Sequence, residues 1–103
     1  MIRVSVLYPN NPGSHFDISY YTTKHIPMLR GLLGPALLQV TVDEGIAGGT
    51  PGSPAPFLAV GHLSFESVEA FQKAFGPHAA QIRGDVPNYT DSLPTIQISN
   101  VKI

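Results

Sequence analysis

The sequence predicts an α+β domain with elements in the order strand, helix, strand, strand, helix, strand. Three observations support this class. Four segments alternate apolar and polar residues with the period of two that is typical of strands. Two segments repeat apolar residues every three or four positions, as an amphipathic helix does. Clusters of glycine, proline and asparagine separate the segments, and 103 residues suit one domain over 1–103.

The first strand is predicted over 2–8 because its residues alternate in character. The side chains on its more apolar side are Ile2, Val4, Val6 and Tyr8. Prolines, asparagines and a glycine at 9–13 favour a turn and end the strand.

The first helix is predicted over 16–33, with Asp17 or Ser14 as its N-cap. Its inward stripe consists of Ile18, Tyr21, His25, Leu29 and Leu32. Pro27 lies inside this pattern and removes one helical hydrogen bond, so we expect a kink near Thr23. A Gly-Pro pair then ends the helix.

The second strand is predicted over about 37–46, and a Gly- and Pro-rich loop at 48–56 separates it from a third strand at 57–65. In the second strand the apolar side carries Leu38, Val40 and Val42. Ser67 is predicted to cap the second helix. The stripe of that helix, interrupted by a Gly-Pro pair, consists of Val68, Phe71, Phe75, Ala79 and Ile82.

The last strand is predicted over about 95–103, with Ile96 and Ile98 pointing to the same side. The resulting order matches the ferredoxin-like arrangement, in which both helices pack on one face of a four-stranded antiparallel sheet.

The sheet face without helices is predicted to be mixed in polarity. It would carry Arg3, Ser5, Leu7, Gln39, Thr41, Thr95, Gln97 and Ser99. A solvated antiparallel face is normally more charged. Charged residues make up only 13% of the chain, whereas about 25% is usual. Both observations favour burial of this face against a symmetric partner, and a soluble monomer with few charges is the alternative.

Composition excludes several classes of function. The net charge is −1 and no run of Lys or Arg exists, so the basic stripe of a nucleic-acid-binding protein is missing. No apolar stretch approaches the roughly 20 residues of a membrane span. The first residues lack the apolar region of a signal peptide. Because the chain also has no cysteine, we expect a cytoplasmic protein without disulfides.

The sequence predicts neither a metal site nor a cofactor. The four histidines, His15, His25, His62 and His78, show no His-x-x-x-His or Glu-x-x-His spacing. No glycine motif of the phosphate-binding type precedes a helix, and no Gly-x-Ser-x-Gly motif marks a serine nucleophile.

Several motifs together resemble the EthD family, named for ethyl tert-butyl ether degradation. They are Asp17-x-x-Tyr20-Tyr21-x-x-x-His25-x-Pro27, Gly48-Gly49, the segment GHLSFESVEAF, Phe75-x-Pro77-His78 and Asp85-x-Pro87-Asn88-Tyr89-Thr90. The resemblance implies a homodimer of the dimeric α/β-barrel type, with the two sheets facing each other. It also implies a cavity between sheet and helices in each subunit. Related families include oxygenases, cyclases, isomerases and haem enzymes, so the resemblance does not select a reaction.

The leading catalytic candidate is His25, because it lies on the inward stripe beside the expected kink and an imidazole serves as a general acid or base near neutral pH. Tyr21 is one helical turn away on the same stripe, so its hydroxyl and the imidazole are expected to converge. The alternatives are a buried histidine bonded to backbone and plain aromatic packing. Tyr20, next to this pair, is a candidate substrate-binding residue.

Further candidates for substrate binding come from the rest of the chain. Asp85, Asn88 and Tyr89 follow the second helix in a proline-containing loop, and the alternative role of the first two is to hydrogen-bond turn backbone. His62 on the third strand is a candidate that would meet polar groups such as Arg3 if its face looks into the dimer barrel. The apolar lining of a pocket is expected from Leu29, Phe71 and Phe75.

Three hypotheses about function follow. The first is a catabolic protein that binds and transforms a small apolar, oxygen-containing compound through proton transfer by a histidine and a tyrosine. The second is a non-catalytic homodimer that binds or carries a hydrophobic metabolite. The third is a structural dimer whose interior is filled.

Overall fold

The computed structural model describes residues 1–103 and contains one antiparallel sheet with strand order β2-β3-β1-β4. The strands are β1 (Ile2–Pro9), β2 (Gln39–Glu44), β3 (Phe57–Phe65) and β4 (Thr95–Asn100). This confirms the predicted ferredoxin-like α+β class. The edge strands β2 and β4 are shorter than predicted. For β4 the reason is the register, because Asn100 already pairs with Ile2 at the start of β1.

The first helical region consists of α1 (Ile18–Tyr20), a π-helical turn (Tyr21–His25) and α2 (Ile26–Leu33). Asp17 is its N-cap, since the carboxylate accepts a hydrogen bond of 3.0 Å from the backbone N–H of Tyr20. The disturbance expected from Pro27 takes the form of this π-helical turn. Within it the N–H of Ile26 donates to the carbonyl of Tyr21, five residues earlier.

The π-helical turn changes which residues of α2 face inward. One extra residue in the turn shifts the apolar stripe by about one position. Leu33 is therefore buried, whereas the predicted Leu32 is only half-buried. The other buried side chains of this region are Tyr21, His25, Ile26 and Leu29.

The second helical region consists of α3 (Val68–Phe75), a 3₁₀ turn (Gly76–His78), α4 (Ala79–Gly84) and a second 3₁₀ turn (Val86–Asn88). Ser67 caps α3 as predicted, because its hydroxyl accepts a hydrogen bond of 3.0 Å from the N–H of Ala70. The α3 side chains that pack on the core are Phe71, Ala74 and Phe75. The prediction of Val68 in this stripe is wrong, since the first residue of the helix is exposed.

The main core fills the space between the sheet and the two helical regions. It consists of Ile2, Val4, Leu29, Leu33, Leu37, Leu63, Phe65 and Ile82. The helices leave the β4 edge uncovered, so Ile96 and Ile98 are 53% and 43% exposed although their register places them beside Val6 and Val4. Leu38, predicted to share the apolar side of the second strand, is exposed because it precedes β2 and no element covers it.

The open face of the sheet carries rows of polar side chains from neighbouring strands. One row runs through Gln39, Ser64, Arg3 and Ser99, and the next runs through Thr41, His62, Ser5 and Gln97. A third row, through Asp43, Val60, Leu7 and Thr95, adds apolar side chains, so the face is mixed in polarity as predicted. None of the helices is both long enough and apolar enough to traverse a bilayer.

Candidate functional site

An apolar cavity of about 250 Å³ lies between the covered face of the sheet and the helical regions. Thirteen of its sixteen lining residues are hydrophobic. Its apolar wall includes Val4, Leu29, Leu63, Phe71, Phe75 and Ile82. The residues with polar groups that line it are His25, Arg83, Tyr8, Tyr21 and Tyr89. A mostly apolar cavity with a few polar groups is the usual composition of a small-molecule site.

The buried His25 pairs at this cavity with Asp85, which is half-buried. The Nδ1 atom of His25 lies 2.8 Å from Oδ2 of Asp85, and the two side chains are 4% and 15% exposed. His25 reaches this position from the π-helical turn, whereas Asp85 follows α4. The two residues are sixty positions apart in the chain, so only the packing of the two helical regions brings them together.

Asp85 accepts hydrogen bonds from two further side chains. The Tyr20 hydroxyl donates to Oδ1 at 2.8 Å, and the Asn88 amide donates to the same oxygen at 2.9 Å. Burial raises the pKa of Asp85, but the bonds from Asn88, His25 and Tyr20 outweigh it and hold that pKa below its ordinary value. The carboxylate is therefore ionised at neutral pH and can only accept, which makes Nδ1 of His25 the donor.

A chain of hydroxyls continues from the other side of the imidazole. The Tyr89 hydroxyl lies 3.5 Å from Nε2 of His25 and 2.7 Å from the Tyr8 hydroxyl. Because Nδ1 carries a proton for Asp85, Nε2 of the neutral ring is an acceptor, and Tyr89 donates to it. Tyr8 then donates to Tyr89. The site therefore contains an ordered series of donors from Tyr8 through Tyr89 and His25 to Asp85.

The tyrosines of this series are held as neutral phenols. Burial raises the pKa values of Tyr8, Tyr21 and Tyr89 well above the ordinary tyrosine value. The pKa of Tyr20 is also raised, chiefly because its hydroxyl donates to the Asp85 carboxylate. All four hydroxyls consequently keep their protons at neutral pH and are available as donors.

Aromatic packing fixes the orientation of these groups. The ring of Tyr21 stacks on the imidazole of His25 with centroids 5.4 Å apart, and it meets Tyr8 edge-on at 5.7 Å. Phe16 packs edge-on against Tyr8 at 4.9 Å. The Tyr21 hydroxyl approaches β3 where a glycine, Gly61, leaves room for it, since a Cβ there would lie 2.5 Å from that oxygen.

The structure brings most of the predicted site residues together but changes their contacts. His25, Tyr21, Leu29, Phe71, Phe75 and Tyr89 line the cavity. Tyr20, Asp85 and Asn88 lie behind His25 and act on it through Asp85. The expected hydroxyl contact of Tyr21 with His25 is replaced by ring stacking, and Tyr89 supplies the hydroxyl instead. His62 lies on the open face, away from the cavity and in the same pocket as Arg3.

Two polar residues of the cavity escaped prediction. Tyr8 was assigned only to the apolar side of the first strand, yet its hydroxyl bonds to Tyr89. Arg83 lines the cavity and lies over the ring of Phe75, with 5.7 Å between the guanidinium carbon and the ring centroid. A tyrosine at the end of a buried strand is a usable signal, because a buried hydroxyl needs a partner. Nothing in the local pattern marks Arg83.

The acidic and histidine side chains are not arranged for a metal ion. No group of three or more histidine, aspartate or glutamate residues lies close enough together to ligate one. The buried histidine meets a single carboxylate, Asp85.

A family model and a similar solved structure both identify the EthD family. The model of the EthD domain matches residues 15–93. An EthD-like protein from Ralstonia eutropha JMP134 has 42% sequence identity and a TM-score of 0.95, over 99% of this chain and 92% of that one. No curated protein matches the chain.

More distant structures share the fold. An ethyl tert-butyl ether degradation (EthD) family protein from Bacillus halodurans C-125 has 21% identity and a TM-score of 0.64, over 98% of both chains. HapK from Hahella chejuensis has 11% identity and a TM-score of 0.59, over 98% of this chain and 92% of that one. At these identities the likeness concerns the fold alone.

Proposed function

Since this chain belongs to the EthD family, we propose that its helix–sheet cavity binds a small, largely apolar compound containing oxygen and transforms it by proton transfer. The observation that carries the proposal is the position of Nε2 of His25. This atom faces a cavity tyrosine, while Nδ1 is bound to the half-buried carboxylate of Asp85, 2.8 Å away. In this role His25 is the general base, and Tyr89 is the hydroxyl donor.

The Asp85 contact supports the role of His25. An ionised carboxylate on Nδ1–H fixes the tautomer, so the lone pair of Nε2 is available to accept a proton. When that proton arrives, the imidazolium is stabilised by the same carboxylate. Asp85 is therefore a positioning residue, and Tyr20 and Asn88 hold it in place by donating to its other oxygen.

The tyrosines support recognition of an oxygen atom. A ligand oxygen that accepts from Tyr89 would replace Nε2 as its partner, and this exchange frees Nε2 to take a proton from the ligand. Tyr8, 2.7 Å from Tyr89, keeps the hydroxyl of Tyr89 oriented during the exchange. Because these phenols are neutral, they stabilise developing negative charge on the ligand oxygen by donation.

The cavity itself limits the size and polarity of the ligand. Its volume of about 250 Å³ is below the roughly 300–1,000 Å³ of pockets for drug-sized ligands. The apolar wall favours carbon-rich groups. The Bacillus halodurans relative is described as an ethyl tert-butyl ether degradation family protein. A small ether has the size and polarity that this cavity suits, but it has no proton whose removal leaves negative charge on oxygen, so the proton-transfer step requires a carbonyl or hydroxyl compound of similar size.

One observation favours a second candidate, a non-catalytic homodimer that binds or carries a hydrophobic metabolite. Every buried polar side-chain atom already has a hydrogen-bond partner. A ligand that fills only the apolar part of the cavity would leave the series of donors unchanged, and it would be bound without reaction.

Both candidates include a homodimer formed through the open face of the sheet. The low fraction of charged residues, 13%, supports this, and so do the half-buried apolar side chains Leu7, Leu58 and Val60 on that face. Sedimentation equilibrium is expected to give about twice the chain mass of 11.0 kDa. A single-chain mass at high protein concentration would contradict the dimer.

A ligand panel tests the function directly. The protein is incubated with small ethers, alcohols, ketones and phenols, while melting temperature and product formation by mass spectrometry are followed. We expect one class to raise the melting temperature saturably and to be converted. His25→Asn, which keeps a donor for Asp85, should lower turnover by about 10²–10⁴-fold.

His15→Asn is the matched control, because His15 also contacts an aspartate but lies exposed at the surface. It should leave turnover unchanged. Saturable stabilisation without product in the wild-type protein would support the carrier instead. Neither stabilisation nor product for any class would overturn both candidates.

A further inference from the structure

We propose that the ligand of the helix–sheet cavity carries a carboxylate, and that Arg83 binds this group at the mouth of the cavity. The inference rests on the proposed function, because it concerns the same cavity. It narrows the ligand to small carbon-rich acids that also contain a carbonyl or hydroxyl oxygen. Arg83 belongs to the last turn of α4 and lines the cavity, although the residue is exposed. An exposed residue that also lines a cavity lies at its opening.

The guanidinium of Arg83 is placed at the cavity wall by aromatic side chains. Its carbon lies 5.7 Å from the ring centroid of Phe75, which is itself a lining residue. Phe75 stacks on Phe71 with centroids 5.3 Å apart, and Phe71 packs on the buried Phe65 at 5.1 Å. A cation is attracted to an aromatic face, so this series of rings favours one position of the charge.

The guanidinium of Arg83 has no acidic partner in the chain. All three ion pairs join a histidine to an aspartate, so none of them includes an arginine. The carboxylate of Asp85, two positions after Arg83, already accepts from three other side chains, those of His25, Tyr20 and Asn88. Because a guanidinium has five N–H donors and no acceptor, an anion is the partner that Arg83 lacks.

Arg83 is the one charged residue that lines the cavity. The other polar lining residues are His25 and three tyrosines, which are neutral phenols. A ligand with one negative charge would therefore meet a positive group at the opening and no carboxylate along the wall. A guanidinium binds a carboxylate through two parallel hydrogen bonds, a geometry that a neutral group of the same size does not match.

The polar contacts of the cavity then divide the recognition of the ligand. Tyr89 donates to the carbonyl or hydroxyl oxygen beside Nε2 of His25, whereas Arg83 binds the carboxylate, and the apolar wall contacts the carbon atoms. A carboxylate that stays at the opening avoids the cost of burying a charge. The ligand class that fits these contacts is a small hydroxy acid or oxo acid.

A purely structural role for Arg83 predicts a different result. A cation in the last turn of a helix interacts favourably with the helix dipole, and the contact with Phe75 adds to stability. Either contribution would change the free energy of unfolding but not the preference between ligands. The preference for acids over neutral compounds of the same shape therefore separates the two roles.

Binding of matched acids and amides tests the inference. A carboxylate and a primary amide have nearly the same shape, so hydroxybenzoate with hydroxybenzamide, and levulinate with levulinamide, are pairs that differ mainly in charge. Dissociation constants are measured by isothermal titration calorimetry at neutral pH and constant ionic strength. We expect the wild-type protein to bind at least one acid about tenfold more tightly than its amide. Arg83→Gln should bring this ratio close to one by weakening the binding of the acid alone.

Arg83→Lys keeps the charge but loses the paired hydrogen bonds, so its ratio should lie between those of the wild-type protein and Arg83→Gln. This variant provides the test if Arg83→Gln does not fold. Arg30→Gln is the matched control, because Arg30 is also exposed and in the last turn of its helix but does not line the cavity. It should leave the ratio unchanged.

The inference and the proposed function fail in different ways. Equal affinities for acid and amide, no saturable binding of any pair, or a wild-type ratio in both Arg83 variants would overturn the inference. Neutral ketones or phenols that are converted while the acids do not bind would also overturn it and leave the proposed function standing. Acids that bind through Arg83 but are never converted would support the inference and contradict the proton-transfer reaction.

Discussion

His25 on the covered side of the sheet and His62 on the open face each meet one aspartate, but the two pairs differ in burial. Nδ1 of His25 is 2.8 Å from Asp85, with side chains 4% and 15% exposed. Nε2 of His62 is 3.4 Å from Asp43, with side chains 28% and 70% exposed. The first pair is shorter and less exposed, and its carboxylate accepts from two further side chains. The same residue types therefore give a fixed proton position in one region and a solvated contact in the other.

The difference follows from what surrounds each carboxylate. Asp85 accepts from Tyr20, Asn88 and His25, and it lies between two helical regions. Asp43 lies on the edge strand β2, where water competes with His62. Exposed ion pairs contribute about 0–1 kcal/mol, whereas hydrogen bonds to buried charged groups contribute about 1.5–3 kcal/mol each.

Removing each carboxylate in turn should give the largest contrast. Asp85→Ala deprives three donors of their shared acceptor, so we expect the free energy of unfolding to fall by at least about 2 kcal/mol. Asp43→Ala should cost less than about 1 kcal/mol. Urea denaturation measures both. Equal losses of unfolding free energy in the two variants would show that the difference in burial does not change what the two pairs contribute to stability.

Adding a methyl group to β3 tests the packing on the covered side. Gly61→Ala would place a Cβ 2.5 Å from the hydroxyl of Tyr21. The Tyr21 ring must move, and with it the stacking on His25, so we expect a loss of about 1–3 kcal/mol. His62→Ala, the next residue but on the open face, should cost less than about 1 kcal/mol. Thermal unfolding of both variants measures these losses. A Gly61→Ala variant as stable as the wild-type protein would contradict the described packing.

Deleting single hydroxyls sharpens the comparison within the site. Tyr89→Phe leaves the buried hydroxyl of Tyr8 without its 2.7 Å partner, and we expect a loss of about 1–2 kcal/mol. Tyr20→Phe removes a donor at the more exposed end of the network and should cost less. Denaturation curves for the two variants provide the test, and the reverse order would argue against Tyr8 and Tyr89 as the inner part of the series.

Acid should weaken the buried pair in a defined direction. The folded-state pKa of Asp85 is below its ordinary value, so its ionised form stabilises the fold above the unfolded-state pKa of about 3.9. This stabilisation is lost as pH falls through the lower folded-state pKa. The difference in unfolding free energy between the wild-type protein and Asp85→Ala should therefore be fully present at about pH 5 and shrink below about pH 4. A difference that keeps growing as pH falls below about 4 would contradict the assignment.

The fold was predictable because its signals are local. Alternation in 2–8 and 57–65 and the cap at Ser67 each depend on a few neighbouring residues, and the structure contains all three. Exposure of Ile96 and Ile98 was not predictable, since it depends on how far the helices extend over the sheet. Which residues of α2 face inward depends on the π-helical turn that precedes Pro27, and the sequence alone did not predict that turn.

The candidate site was predictable in its members but not in its bonds. His25 and Tyr89 stand out as a histidine on an inward stripe and a tyrosine in a proline-containing loop. Their contact spans sixty-four positions, and that of Tyr8 with Tyr89 spans eighty-one. No local pattern encodes contacts between residues so far apart in the chain. Tyr21, the nearest tyrosine on the stripe, was therefore predicted as the partner of His25.

The most direct measurement of the central claim is the tautomer of His25 by ¹H–¹⁵N NMR of the ring nitrogens. We expect a proton on Nδ1, where Asp85 accepts it, and an unprotonated Nε2 directed at Tyr89 in the neutral ring. Asp85→Ala should release this preference, whereas Asp43→Ala should leave it unchanged. A neutral ring with its proton on Nε2 and a bare Nδ1 would contradict the account.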